Sequence, residues 1–261
     1  MAKSKRHVRR KLNVSATLPA ESAKYIPTWW LNNVIGAFLL IPVFLLNRAL
    51  FSSFSHVATA YQFWASEEFW FFSLGAVLWV LAFFGSIWVC GEPRPLRVYV
   101  FGHELTHAIW VWVMGGRVSD FKFSRSGGFI LTNKHNVWIA LAPYFYPVYS
   151  VAVAVLYGVA SVFYDLSSLT WVLFGLIGLT WAFHLSFTVW MIPKGQSDLT
   201  QFGTFYSLVI IYGMNLLLLI GLLIIAAPEA TFSVFAGALL EAAEDFAAFA
   251  VQGVGRIRAC L

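Results

Sequence analysis

Apolar residues occur along this chain in long blocks, separated by short polar segments or by clusters of proline and glycine. The first three blocks run from about Trp29 to Leu50, about Phe69 to Cys90, and about Leu96 to Met114. Three more run from about Val137 to Tyr164, about Ser168 to Ile192, and about Phe202 to Ala227. Roughly 18 to 20 apolar residues cross a hydrocarbon core as a helix, so the pattern predicts about six spans. The breaks between them are specific. Gly91-Glu92-Pro93-Arg94-Pro95 stops the second block, Gly115-Gly116 ends the third, and Pro193-Lys194-Gly195 ends the fifth. Pro42 lies inside the first block, and Pro143 and Pro147 lie inside the fourth. An amphipathic link, Ser52 to Glu68, joins the first two.

From Arg117 to His135 the period changes. Val118, Phe121, Phe123, Phe129 and Leu131 stand among polar residues on either side of Ser126-Gly127-Gly128, which reads as a β-hairpin. Beyond Pro228 an Ala-rich stretch carries Glu241, Glu244 and Asp245 on one side, with Phe232, Phe235, Leu239, Phe246 and Phe249 on the other. That pattern predicts an interfacial or docking helix. The expected fold is therefore an all-α polytopic membrane protein, with about six transmembrane helices and a short β-hairpin after the third. Its regions are a basic tail (1–28), two accessory spans (29–95), a membrane core with hairpin 117–135 (96–227), and an amphipathic C-terminal helix (228–261).

Composition agrees with this reading. Hydrophobic residues make up 60% of the 261 and charged residues 11%, and the mean hydropathy is +0.75. These values exclude an ordinary soluble domain and leave little sequence for a separate one. Cys90 and Cys260 form no disulfide framework or cysteine-rich metal cluster.

The net charge of +5 is concentrated in Lys3, Lys5, Arg6, Arg9, Arg10, Lys11 and Lys24, with Glu21 as the acid among them. Followed directly by an apolar run, this reads as a cytoplasmic tail at a lipid bilayer and not as a nucleic-acid arm. The run is longer than a signal-peptide core and no small-residue cleavage site follows, so a retained anchor is expected. Orientation holds one conflict. With a cytoplasmic N-terminus and two preceding spans, the hairpin's Arg117, Lys122, Arg125 and Lys134 would face outward, against the positive-inside tendency. Either the hairpin re-enters the membrane or the Phe69 to Met114 region is not two full crossings.

The third block contains His103-Glu104-Leu105-Thr106-His107. On a helix, residues i and i+4 share a face, so both imidazoles can reach one metal ion while Glu104 stays free as a general base. A carboxylate at mid-membrane costs about 2.5 to 3.5 kcal/mol on insertion scales, and structural zinc binding is worth about 10 to 16 kcal/mol. A catalytic zinc takes three protein ligands and keeps one open position. Asp198, at the broken end of a span, is the favoured third ligand. His184, in the middle of an apolar block, is the rival. The two lie about 21 Å apart along a continuous helix, so they could share an ion only if the chain folds back at Pro193. Asp120 and Asp165 read as solvated span edges, and His56 and His135 as link residues.

The sequence here resembles the site-2 protease family of intramembrane zinc metallopeptidases, peptidase family M50, and in particular its smaller M50B-like members. The matching residues are Phe101-Gly102-His103-Glu104-Leu105-Thr106-His107-Ala108, Gly115-Gly116-Arg117-Val118, the Ser126-Gly127-Gly128 hairpin, Leu141-Ala142-Pro143, and Asp198 farther on. The resemblance covers about Leu96 to Gly203. It implies one zinc ion on His103, His107 and Asp198, with Glu104 as catalytic base. It also implies transmembrane protein substrates, presented with help from the hairpin. Leu199 stands where the family commonly has glycine, and the asparagine often found near the second core span's proline is absent beside Pro143. Two other functions suit the same ligands without hydrolysis: a metal-binding membrane transporter and a catalytically inactive scaffolding homologue.

Overall fold

The computed structural model describes residues 29–60, 63–226 and 231–260; the basic tail expected over 1–28 lies outside them. Helix α1 (Trp29–Ala60) takes in the first apolar block and continues through His56, over much of the segment expected as a link. No glycine or proline follows Pro42 before Ala60 to stop it. A short 3-10 turn, Phe63–Ala65, leads to α2 (Glu67–Cys90). Ser66 caps α2 by accepting a hydrogen bond from the Phe69 amide at 3.2 Å, and Glu67 and Glu68 suit the positive end of its dipole. Gly91, left-handed at φ 72°, closes it.

After the Pro-rich break come α3 (Leu96–Val113), strands β1 (Val118–Ser124) and β2 (Gly127–Thr132), α4 (Val137–Phe145) and α5 (Val148–Phe163). Then follow α6 (Thr170–Met191), the five-residue α7 (Ser197–Gln201), α8 (Thr204–Ala226) and α9 (Phe232–Cys260). The strands pair antiparallel, as expected, with an irregularity between Val118 and Asp120.

Among the described residues, four segments are long and apolar enough to cross a membrane: Trp30–Ser55, Glu67–Cys90, Ser167–Lys194 and Thr204–Ile224. A fifth is the pair α4 and α5, bent by 75°. The single span expected over Val137–Tyr164 is thus broken in two, because Pro147 lacks an N–H and pushes Tyr146 into extended backbone. Helix α3 is outside this set. Arg97, His103, Glu104 and His107 lower its hydropathy, although it lies among the others. Many large apolar side chains face outward, Trp88 and Val162 among them, as lipid contact requires and an aqueous surface would not tolerate.

Helices α2 and α6 pack backbone to backbone. A Cβ on Gly75 would collide with the Gly175 carbonyl and one on Gly178 with the Phe72 carbonyl, so the small residues set the separation. Tyr99 and Val100 of α3 are buried against this pair, with Trp79, Phe83, Phe183 and Phe187. On the other side Leu141, Tyr144 and Phe145 of α4 pack with Leu199, Ile210 and Ile211.

Helix α9 docks on α1 and α8 through Phe235, buried with Ala49, Leu216 and Ile220. Its docked face is narrower than the sequence pattern, since Phe232 and Phe249 are exposed. The Arg48–Asp245 ion pair, 3.1 Å long and half-exposed at both ends, contributes little. The hairpin folds back along α3, and the Phe121 and Phe123 rings meet Phe101 edge-on at 5.9 and 5.0 Å between centroids. Tertiary packing therefore brings the hairpin to the HELTH turn of α3.

Candidate metal centre

His103 and His107 lie one turn apart on α3, with ring centroids 4.9 Å apart. Asp198 comes from α7, and its Oδ2 is 3.3 Å from His103 Nε2 and 3.6 Å from His107 Nε2. One ligand atom from each of the three residues lies within 4.8 Å of the other two. The fold thus returns Asp198 to α3 from 91 positions beyond His107.

The donor set suits a cation. His107 Nδ1 stands 2.8 Å from the Ile139 carbonyl, which can only accept, so Nδ1 carries the proton and Nε2 presents a lone pair. That lone pair faces a carboxylate oxygen, and so does His103 Nε2. Electron-rich atoms converging in this way call for a proton or a metal ion among them. His103 Nδ1 lies 3.3 Å from the Tyr99 hydroxyl, four residues earlier on the same helix face. The Tyr144 hydroxyl donates to Asp198 Oδ2 at 3.2 Å.

Asp198 sits on irregular backbone. A 3-10 turn at Ile192–Lys194 precedes α7, and Gly195 (φ 76°) and Gly203 (φ 93°) bracket it in left-handed conformation. Leu199, 2% exposed, anchors the short helix in the apolar core, and the buried Ser207 hydroxyl donates to the Leu199 carbonyl at 3.0 Å.

Glu104 is buried at 7% exposure and points to the same space. This is a cavity of about 280 Å³ lined by His103, Glu104, His107 and Asp198, with Gly127 to Ile130 of β2 as one wall. Gly128 lies directly against the acid: a Cβ there would be 2.5 Å from Glu104 Cγ and 2.7 Å from the Lys122 carbonyl. Only glycine lets the strand approach this closely.

Comparison of the chain with protein-family models, curated proteins and solved structures returned no match.

His184, the rival ligand, is outside the three-residue group. It is buried in α6 and, with Gly102, Thr106 and Tyr149, lines a smaller pocket that meets the site only at Tyr99 and His103. The other residues singled out from sequence are elsewhere. Asp120 pairs with Lys122 at 3.2 Å, and His135 bonds Gln201 at 2.9 Å and stacks on Phe202. Exposed Asp165 accepts from the Ser167 amide at 3.0 Å, which holds its carboxyl below the ordinary range. Of His56 only its place in α1 is described.

Neither Tyr99 nor Tyr144 stands out in the sequence, and Gly128 stands out there only as part of the hairpin turn, not as a neighbour of Glu104. The spacing of Tyr99 from His103 was a usable signal. The tyrosine beside Pro143 and the glycine of the hairpin gave none, because their partners are set by tertiary packing.

Proposed function

We propose that this protein is an intramembrane zinc metalloprotease that hydrolyses peptide bonds in or beside transmembrane segments of other membrane proteins, as its resemblance to the site-2 protease family implies. The observation that carries the reading is the convergence of His103, His107 and Asp198 on one cavity with a fourth residue, Glu104, an acid outside that group. A metal-binding transporter would use the three ligands but would give Glu104 no separate task.

His103 and His107 would hold the ion through Nε2, and Asp198 through Oδ2. When bound, such an ion supplies a Lewis acid that polarises a carbonyl and acidifies water. Glu104 takes the proton from the attacking water and passes it to the nitrogen of the breaking C–N bond, leaving a carboxylic acid and an amine. Its carboxylate is buried on the wall of the same cavity that the three ligands line. Strand β2 forms the wall past which an extended substrate segment would run, and such a strand can recognise unwound backbone by hydrogen bonding.

On this reading α3 is the sixth membrane-embedded segment. Its polar Glu104, Thr106 and His107 are buried within the protein while Trp112 and Val113 face outward. The hairpin, lying back along α3, would then be a re-entrant element, one of the two arrangements that the charge pattern leaves open.

The test is Glu104→Gln. Wild-type protein and variant are reconstituted in liposomes with single-span reporter proteins, and cleavage and zinc content are measured together. The expected result is cleavage by wild type and none by the variant, at equal zinc content. A variant that cleaves at the wild-type rate removes Glu104 as base. Zinc-loaded wild type that cleaves no reporter favours the transporter or scaffold.

A further inference from the structure

We infer that Tyr144 is the positioning residue of the metal centre, aiming the Asp198 carboxylate while its own backbone is held by Asn215 of α8. The inference rests on the metal-site reading above and assigns a role to a residue outside the three ligands.

Asp198 needs outside support. It stands on a five-residue helix between two left-handed glycines, so no long helix carries its carboxylate toward α3. Tyr144 supplies the constraint from α4. Its hydroxyl donates at 3.2 Å to Oδ2, the oxygen that both histidine Nε2 atoms face, at 3.3 and 3.6 Å. One donated hydrogen bond fixes the carboxylate's rotation and leaves that oxygen with a lone pair for an ion. The Tyr144 ring stands edge-on to His103, with centroids 5.3 Å apart and planes at 88°. The same side chain therefore bounds two of the three ligands.

Tyr144 is itself immobilised. Its side chain is 0% exposed within the α4, α7 and α8 core. The helix breaks two residues later at Tyr146 and Pro147, so the Tyr144 carbonyl lies in the last turn of α4, where carbonyls lack intrahelical partners. Asn215 Nδ2 takes it at 3.0 Å and also bonds the Ile211 carbonyl of its own helix at 2.8 Å. The proline break thus frees a backbone acceptor, which Asn215 of α8 and the buried His184 of α6 both approach, and these contacts lock the turn that carries the hydroxyl.

The experiment uses the full chain in lipid nanodiscs, with zinc affinity measured by chelator competition and melting measured without metal. Tyr144→Phe keeps the buried ring and removes only the hydroxyl. The expected outcome is a zinc affinity about 10- to 100-fold weaker, the usual range for removing a group that orients a metal ligand, at an unchanged metal-free melting temperature. Wild-type affinity in this variant overturns the inference. So does a parallel loss of melting temperature and affinity, which would make the hydroxyl a packing element. Should Tyr144→Phe not fold, Asn215→Ala reads the same chain of contacts: a several-fold loss of affinity is expected, and wild-type affinity overturns the inference. Wild-type protein that binds no zinc defeats the metal-site reading itself, which is a separate outcome.

Discussion

Helix α3 and the segment around α7 place their candidate ligands by opposite means. On α3, 3.6-residue periodicity alone puts His103 and His107 on one face, and the 18-residue helix carries both on a common backbone. Around α7, five helical residues stand between two breaks, and Asp198 reaches the site because Leu199, Ser207 and Tyr144 hold the turn from neighbouring elements. Half of the centre is thus local and half tertiary. Damage to the surroundings should be felt mainly through Asp198.

The largest effect tests whether both halves are ligands at all. His107→Ala and Asp198→Ala should each weaken zinc binding by more than about 100-fold, beyond the range seen when only a supporting group is lost, whereas His184→Ala should leave the zinc content of purified protein unchanged. Loss of zinc in His184→Ala with retention in Asp198→Ala would reverse the assignment. Next comes the point where α3 itself depends on a neighbour. Gly128→Ala inserts a methyl group against Glu104, so that side chain or the strand must shift by a fraction of an ångström. Cleavage of a membrane reporter should fall by about 10- to 100-fold while zinc content stays the same.

The smallest effect separates the two segments directly. Ser207→Ala removes one buried hydrogen bond to α7, worth about 1 kcal/mol, and should weaken zinc binding by about fivefold if that bond is spent on aiming Asp198. Thr106→Ala removes a hydroxyl that donates to the Gly102 carbonyl of its own helix at 2.8 Å, and titration should find zinc affinity unchanged. Equal effects would mean that α7 is no more dependent on its neighbours than α3.

The same division explains what could be read from the sequence. Helix positions, the hairpin and the HELTH face follow from short-range patterns of apolar residues, proline and glycine, and most element ends lie within a few residues of expectation. The break between α4 and α5 was signalled by Pro147, but its 75° angle was not, because an angle depends on what the second helix packs against. Asp198 was legible as a polar residue at a broken span and His184 as a polar residue within one. Which of them the fold brings to the two histidines depends on tertiary packing: α7 turns Asp198 toward α3, whereas His184 lines a smaller neighbouring pocket that shares Tyr99 and His103. Gly128 against Glu104 is a contact across 24 residues, and local periodicity carries no trace of it.

The most direct test of the centre is X-ray absorption at the zinc edge of zinc-loaded wild type and of Asp198→Ala. Two imidazole nitrogens at about 2.0 to 2.1 Å and a carboxylate oxygen at about 2.0 to 2.2 Å are predicted for wild type, with the carboxylate lost or the metal absent in the variant. A third imidazole around the ion, or a variant spectrum identical to that of wild type, would contradict the assignment of Asp198 with His103 and His107.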